Sequence, residues 1–216
     1  MMDTLRYTLI TDGCSDRVLL PIITWTLRVN GIEGAIQPQW ADLRLFSEGT
    51  KLDEKIRTSL EHFPCDVLFI HRDAEKEPRE NREKEIRATC CAIRPIDTIQ
   101  IPAICVIPVR MQEAWLLSDE TAIRHAAGNK NGKTQLPLPS VNTIESIPDP
   151  KDLLHECLKI ASGRTGRRLK KFRPASSAHQ IPNFIEDFSP LRSLSAFDAF
   201  ENDLREALEN LRHRTH

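Results

Sequence analysis

Five acidic residues stand where a short apolar run gives way to a turn or a helix. Asp12 and Asp16 follow Leu5 to Ile10, Asp73 and Glu75 follow Val67 to Ile70, and Glu113 follows Ile104 to Ile107. Carboxylates gathered in one place repel one another unless a proton or a cation lies between them. Such a group suits Mg2+ or Mn2+, which take a few carboxylate oxygens and complete their shell with water and substrate phosphate. Two such ions about 4 Å apart both activate a water and stabilise the leaving oxygen of a phosphodiester. Asp12, Asp73, Glu75 and Glu113 are therefore the candidate catalytic residues, and the same four together with Asp16 are the candidate metal ligands. Asp73 and Glu75 are two apart, so in extended chain both carboxylates point the same way. A plainer reading of Asp73 stands beside this one, as a cap for the charged helix that follows from about Arg79 to Ala92. His71, two before Asp73, shares its face in a strand and reads either as a participant or as a hydrogen-bonded structural residue.

The elements that must position these acids follow from periodicity. Leu5 to Ile10, Val67 to Ile70 and Ile104 to Ile107 are short apolar runs of the kind that forms strands buried on both faces of a sheet. Gly34 to Phe46 is more polar and reads as an edge strand. Between them lie helices. One follows Asp12-Gly13-Cys14-Ser15-Asp16, with Ser15 as its expected N-cap, and ends at Asn30-Gly31. Lys51 to Phe63 has apolar residues at helical spacing, Arg79 to Ala92 alternates acids and bases, and Glu113 opens a helix running to about Ala127. Strands alternating with helices predict βαβ units and a mainly parallel sheet, whose carboxyl edge is where ligands bind in open α/β folds. All five acids fall on that edge.

Composition bounds the rest. At 216 residues, 40% hydrophobic and 28% charged, the chain reads as globular, and no apolar run approaches the length of a membrane span. The first residues lack signal-peptide architecture, so a cytoplasmic protein with no membrane partner is expected. No two of the six cysteines are spaced C-x-x-C, and the seven histidines show no H-x-x-x-H pair, which speaks against zinc chemistry. Residues 1–128 read as the α/β domain, 129–150 as a linker or mobile loop rich in Gly, Asn and Pro, and 151–216 as a helical C-terminal extension packing on the first domain. Within that extension Lys151 to Ala161 is one helix, and Ile181 to Leu211 reads as helical with its apolar residues in the core. Arg164, Arg167, Arg168, Lys170, Lys171 and Arg173 place six bases in ten positions. Net charge is only −1, so an affinity for nucleic acid rests on this local run, which reads equally as a phosphate-backbone contact or as a solvated surface.

Asp12-Gly13-x-Ser15-Asp16 after the first strand, with Asp73-x-Glu75 after a later one, resembles the acidic residue and DxD pair of the Toprim fold. The form is that found in overcoming-lysogenization-defect (OLD) nucleases. Glu113-Ala114-Trp115-Leu116-Leu117-Ser118-Asp119 is similar to the "EAWLLAD" signature of small Toprim-related proteins of unknown function, some associated with phage-defence loci. The resemblance covers roughly residues 5 to 120. It implies a Toprim-like, doubly wound, mainly parallel α/β sheet, Mg2+ or Mn2+ as cofactor, and nuclease chemistry on DNA or RNA. In that pattern Asp12 takes a place usually held by Glu, Asp73 and Glu75 stand for the two acids of DxD, and Asp16 matches the acid that OLD-type members carry one helical turn later. No residue matches the family's later catalytic lysine strongly. The expected function is a metal-dependent nuclease, an effector of anti-phage defence. The alternative is a non-catalytic Toprim-like module that binds a partner defence-system ATPase.

Overall fold

A computed structural model describes residues 4–47, 49–93 and 101–214. The remaining residues lie outside the described ones. Four strands, β1 (Thr4–Ile10), β2 (Ala35–Trp40), β3 (Val67–His71) and β4 (Ala103–Val106), form one parallel sheet in the order β2-β1-β3-β4. From β1 the chain first builds outward to β2 and then returns to place β3 on the other side of β1. The order therefore reverses between β1 and β3, and the crevice outside their carboxyl ends is the topological switch point. β3 is buried at every position, whereas β2 lies at the edge, half open to solvent and carrying Pro38, which lacks an N–H for the sheet ladder.

Side chains alternate between two cores. Leu5, Tyr7 and Leu9 of β1, Val67 and Phe69 of β3, and Ile104 and Val106 of β4 enter one core, while Ile10, Leu68, Ile70 and Cys105 enter the other. The second core is covered by α2 (Leu52–His62) and α3 (Arg79–Ile93) through Ile56, Ile86 and Ile93. The first is covered by α1 (Leu19–Val29), α4 (Glu113–Leu116), α5 (Glu120–Ala126), α6 (Pro150–Ala161) and α9 (Ser195–Arg214), with the short α7 (Gly166–Lys170) and α8 (Pro174–Ala178) lying between α6 and α9 in the chain. Helices on both faces of a parallel sheet make an α/β architecture compatible with a doubly wound fold. Among the described residues no helix is long and apolar enough to cross a membrane.

The C-terminal helices share the first core and do not form a separate one. Phe200 of α9 meets Phe69 of β3 edge-on at 6.2 Å between ring centroids, and Phe197 meets Trp115 of α4 at 5.3 Å. Leu136 and Ile144, in the stretch between α5 and α6, are buried in the same core. Three local readings differ from the structure. The helix expected from Glu113 to about Ala127 is broken in two, because Asp119 adopts an extended conformation and its side chain accepts from the Ala122 N–H, starting α5 afresh. Ile181–Phe184 and Ser189–Ser193 are 3-10 turns, each with a proline near its start (Pro182, Pro190), and α9 begins only at Ser195. Ser15 does not cap α1. Its hydroxyl donates to the Asp16 carboxylate within a 3-10 turn, Cys14–Val18, that precedes the helix.

Candidate acidic site at the switch point

The site is built outward from the last residue of β3. His71 is 2% exposed, and its Nδ1 lies 2.9 Å from the Val106 carbonyl oxygen on β4. A carbonyl only accepts, so Nδ1 carries the hydrogen and Nε2 turns towards Asp73 Oδ1 at 3.5 Å and Asp16 Oδ2 at 3.8 Å. Burial holds the imidazole below its ordinary pKa, against the upward pull of the Asp16, Asp12 and Glu113 carboxylates. His71 is thus a neutral ring that fixes the floor of the site and offers its bare nitrogen to the acids.

Asp73 receives one hydrogen bond, from the Gln112 N–H at 3.1 Å, and does not cap α3, which begins at Arg79. Its carboxyl is pushed up to about 8, first by burial and then by the negative charge of Asp16, Glu113 and Glu75, with the Gln112 N–H acting in the opposite direction. Asp16 is 5% exposed and better provided. It accepts from the Gly13 N–H at 2.9 Å, the Ser15 hydroxyl at 2.9 Å and the Gln112 Nε2 at 3.0 Å. These bonds clamp the turn after β1 to the loop before α4. They also fix the orientation of the Gln112 amide, since the nitrogen must face the carboxylate. The Gln112 Oε1 is left buried with no hydrogen-bond partner. Glu113, 7% exposed at the start of α4, has the Lys151 ammonium 3.7 Å away.

The other two acids are placed differently. Asp12 is half exposed and is held between Lys55 Nζ at 2.8 Å and Arg72 Nε at 2.6 Å. Glu75 is exposed because the strand stops at His71. Its backbone turns to φ 56°, so the alternation that would have aligned it with Asp73 is lost. Its N–H donates to the carbonyl of Arg110, itself at φ 62°, at 2.9 Å. Two non-glycine residues in the left-handed region cost roughly 1 kcal/mol each, and here they pin the loops leaving β3 and β4 to one another. The structure therefore brings Asp16, Asp73 and Glu113 together around His71, leaves Asp12 neutralised beside them, and leaves Glu75 at the rim.

Among the described residues no group of three or more His, Cys, Asp and Glu side chains is placed to hold a metal ion. In kind, the side chains are oxygen donors of the sort a hard divalent cation takes, and Asp73 is raised by burial first and by its carboxylate neighbours second. Asp73, Glu113 and Asp16 are the residues that would hold it, and only after their side chains turned toward a common point. The sequence reading did not single out Gln112, whose only signal is that it directly precedes Glu113, or the counter-ions Lys55, Arg72 and Lys151, which long-range folding brings in.

A cavity of about 50 Å³ opens beside Glu113, with Ser15, Gln112, Lys151, His155 and His179 on its walls. In the segment between α6 and α8, Arg164, Arg167, Arg168, Lys170, Lys171 and Arg173 are all exposed. Among the described residues none of the six pairs with a carboxylate, and Arg164 lies over the Phe172 ring at 4.9 Å. No family model matches the chain, and no curated protein or solved structure matches it significantly.

Proposed function

We propose that this chain is a metal-dependent nuclease of Toprim type, hydrolysing phosphodiester bonds in DNA or RNA as an effector of anti-phage defence. The observation that carries this reading is the meeting of Asp16, Asp73 and Glu113 at the switch point of a parallel sheet, with Asp73 raised first by burial and then by the charge of its neighbours. Mg2+ or Mn2+ bound there would supply positive charge to the phosphoryl oxygens and lower the pKa of the attacking water. The protein's own residues do the rest. Asp73 gives up its proton when the site is loaded, as carboxylate ligands must. His71 holds the two loops at a fixed distance through Val106 and keeps the floor dry. Asp16 locks the turn after β1 to Gln112, so that the backbone N–H of Gln112 stays on Asp73. The unpaired bases from Arg164 to Arg173 hold the phosphate backbone.

Incubating the full chain with plasmid DNA and with tRNA, in Mg2+ or Mn2+, tests the reading. Cleavage is expected, and Asp73→Ala is expected to lose about a thousandfold or more. Equal trace activity in wild type and variant overturns it. Asp12, already paired with Lys55 and Arg72, favours a second reading: a non-catalytic module of the same fold that binds a defence-system ATPase. Absence of Mn2+ binding in calorimetry, together with a stable complex with an ATPase encoded beside it, would establish that reading instead.

A further inference from the structure

The cavity beside Glu113 joins the acidic site to the C-terminal helices, and the roles given above leave it unused. Its floor is the loop that positions the acids (Ser15, Gln112, Glu113), and its far wall is α6 and the end of α8 (Lys151, His155, His179). The one carboxylate on its lining is Glu113. Lys151 lies 3.7 Å from it, and an ammonium has three hydrogens to direct, so a contact to Glu113 leaves donors free. His155 and His179 add ring N–H groups. Two histidines and a glutamate around one cavity would suggest a metal, but these side chains are not placed to share one. The room available, about 50 Å³, takes a group of a few heavy atoms.

Its position in the chain adds a direction. α6 carries Lys151 and His155 near its start, and the basic run begins just past its end at Ala161. At 1.5 Å per residue the six steps from His155 to Ala161 cover about 9 Å, which is two or three nucleotides at about 3.4 Å each along one strand. α8 then brings the chain back to the cavity. A strand lying on Arg164 to Arg173 and reaching the acids passes over this opening.

We propose that the cavity lined by Lys151, His155 and His179 is a phosphate subsite, which seats a backbone phosphate of the substrate next to the one being cut. This rests on the nuclease reading for the identity of the substrate, but the subsite can be tested without metal. Histidine ring resonances of the full chain, followed by NMR during titration with inorganic phosphate at constant ionic strength, are expected to shift saturably at His155 and His179 and to ignore chloride. Lys151→Met is expected to weaken the effect about tenfold. In the cleavage assay, the double variant His155→Gln with His179→Gln is expected to raise KM about tenfold and to leave kcat within about twofold. Ring signals that ignore phosphate, or respond as strongly to chloride, overturn the subsite even where Asp73-dependent cleavage is present. A phosphate response at both rings in a chain that cuts nothing supports the subsite and removes the nuclease.

Discussion

Glu201 and Asp73 show two ways in which this fold treats an acid taken out of water. Glu201, 1% exposed on α9, accepts from Arg192 at 2.8 and 2.7 Å and from Asn30 at 2.9 Å, and Arg205 stands 3.0 Å away. Burial alone would raise its carboxyl, but Arg192, Asn30 and Arg205 more than cancel this and hold it below the usual range. Asp73 has only one backbone N–H to set against burial and three carboxylate neighbours, and rises to about 8. The same chain that supplies two guanidinium groups to one acid supplies none to the other. The acid that ties helices together is neutralised, whereas Asp73 at the switch point has no counter-ion of its own among the described residues beyond the neutral His71 ring. Strongly perturbed groups in a crevice mark functional sites for this reason.

The contrast breaks most visibly if Glu201 is made to resemble Asp73. The double variant Arg192→Met with Arg205→Met leaves a buried carboxylate with Asn30 alone, and should lower stability by about 3 kcal/mol in urea unfolding. A loss under about 1 kcal/mol would show that solvent compensates Glu201.

Next in size is the pH dependence of Asp73. Its folded pKa lies above its unfolded value, so between about pH 4 and pH 8 the folded state holds more protons, and stability falls as pH rises through that window. The penalty is fully present above about pH 8. Allowing for the solvent that reaches a side chain 29% exposed, it is on the order of 3 kcal/mol. Asp73→Asn removes the ionisation, so its stability should be flat where the wild type declines. Parallel curves from pH 5 to pH 9 would place the repulsion elsewhere.

Adding the missing charge should close the gap from the other side. At pH 8.5, Mn2+ at a hundred times its dissociation constant should stabilise the wild type by about 2.7 kcal/mol. Asp73→Asn should gain little, and thermal unfolding with and without chelator reads the difference. The smallest effect belongs to Asp12, whose pairs with Lys55 and Arg72 are half open to water. Lys55→Met should cost about 0.5 kcal/mol, and less at high salt.

Much of the frame was readable from the residues. Val67 to Ile70 and Ile104 to Val106 are buried strands, Gly34 to Phe46 contains an edge strand, and Arg79 to Ala92 differs from α3 by one residue, because runs of β-branched residues and helical spacing are local signals. The placement of Asp16, Asp73 and Glu113 at one sheet edge follows from the same alternation. Local signals could not reveal that Glu75 leaves the strand geometry at φ 56°, since nothing in Asp73-Ala74-Glu75 marks a left-handed residue. Nor could they show that Asp12 meets Lys55 and Arg72, or that Lys151 reaches Glu113, because those partners are joined only by the fold. The break at Asp119 was written in the sequence, as a capping residue inside an apolar pattern, and the apolar periodicity concealed it.

The packing of α9 sets the order in which the molecule becomes competent. Trp115, two residues after Glu113, is seated against Phe197 and Phe200, more than eighty positions later. During synthesis the strands and the acids leave the ribosome well before the helix that holds α4 in place. A chain from which residues 195–214 have not yet emerged lacks the ring contacts that brace α4, which carries Glu113.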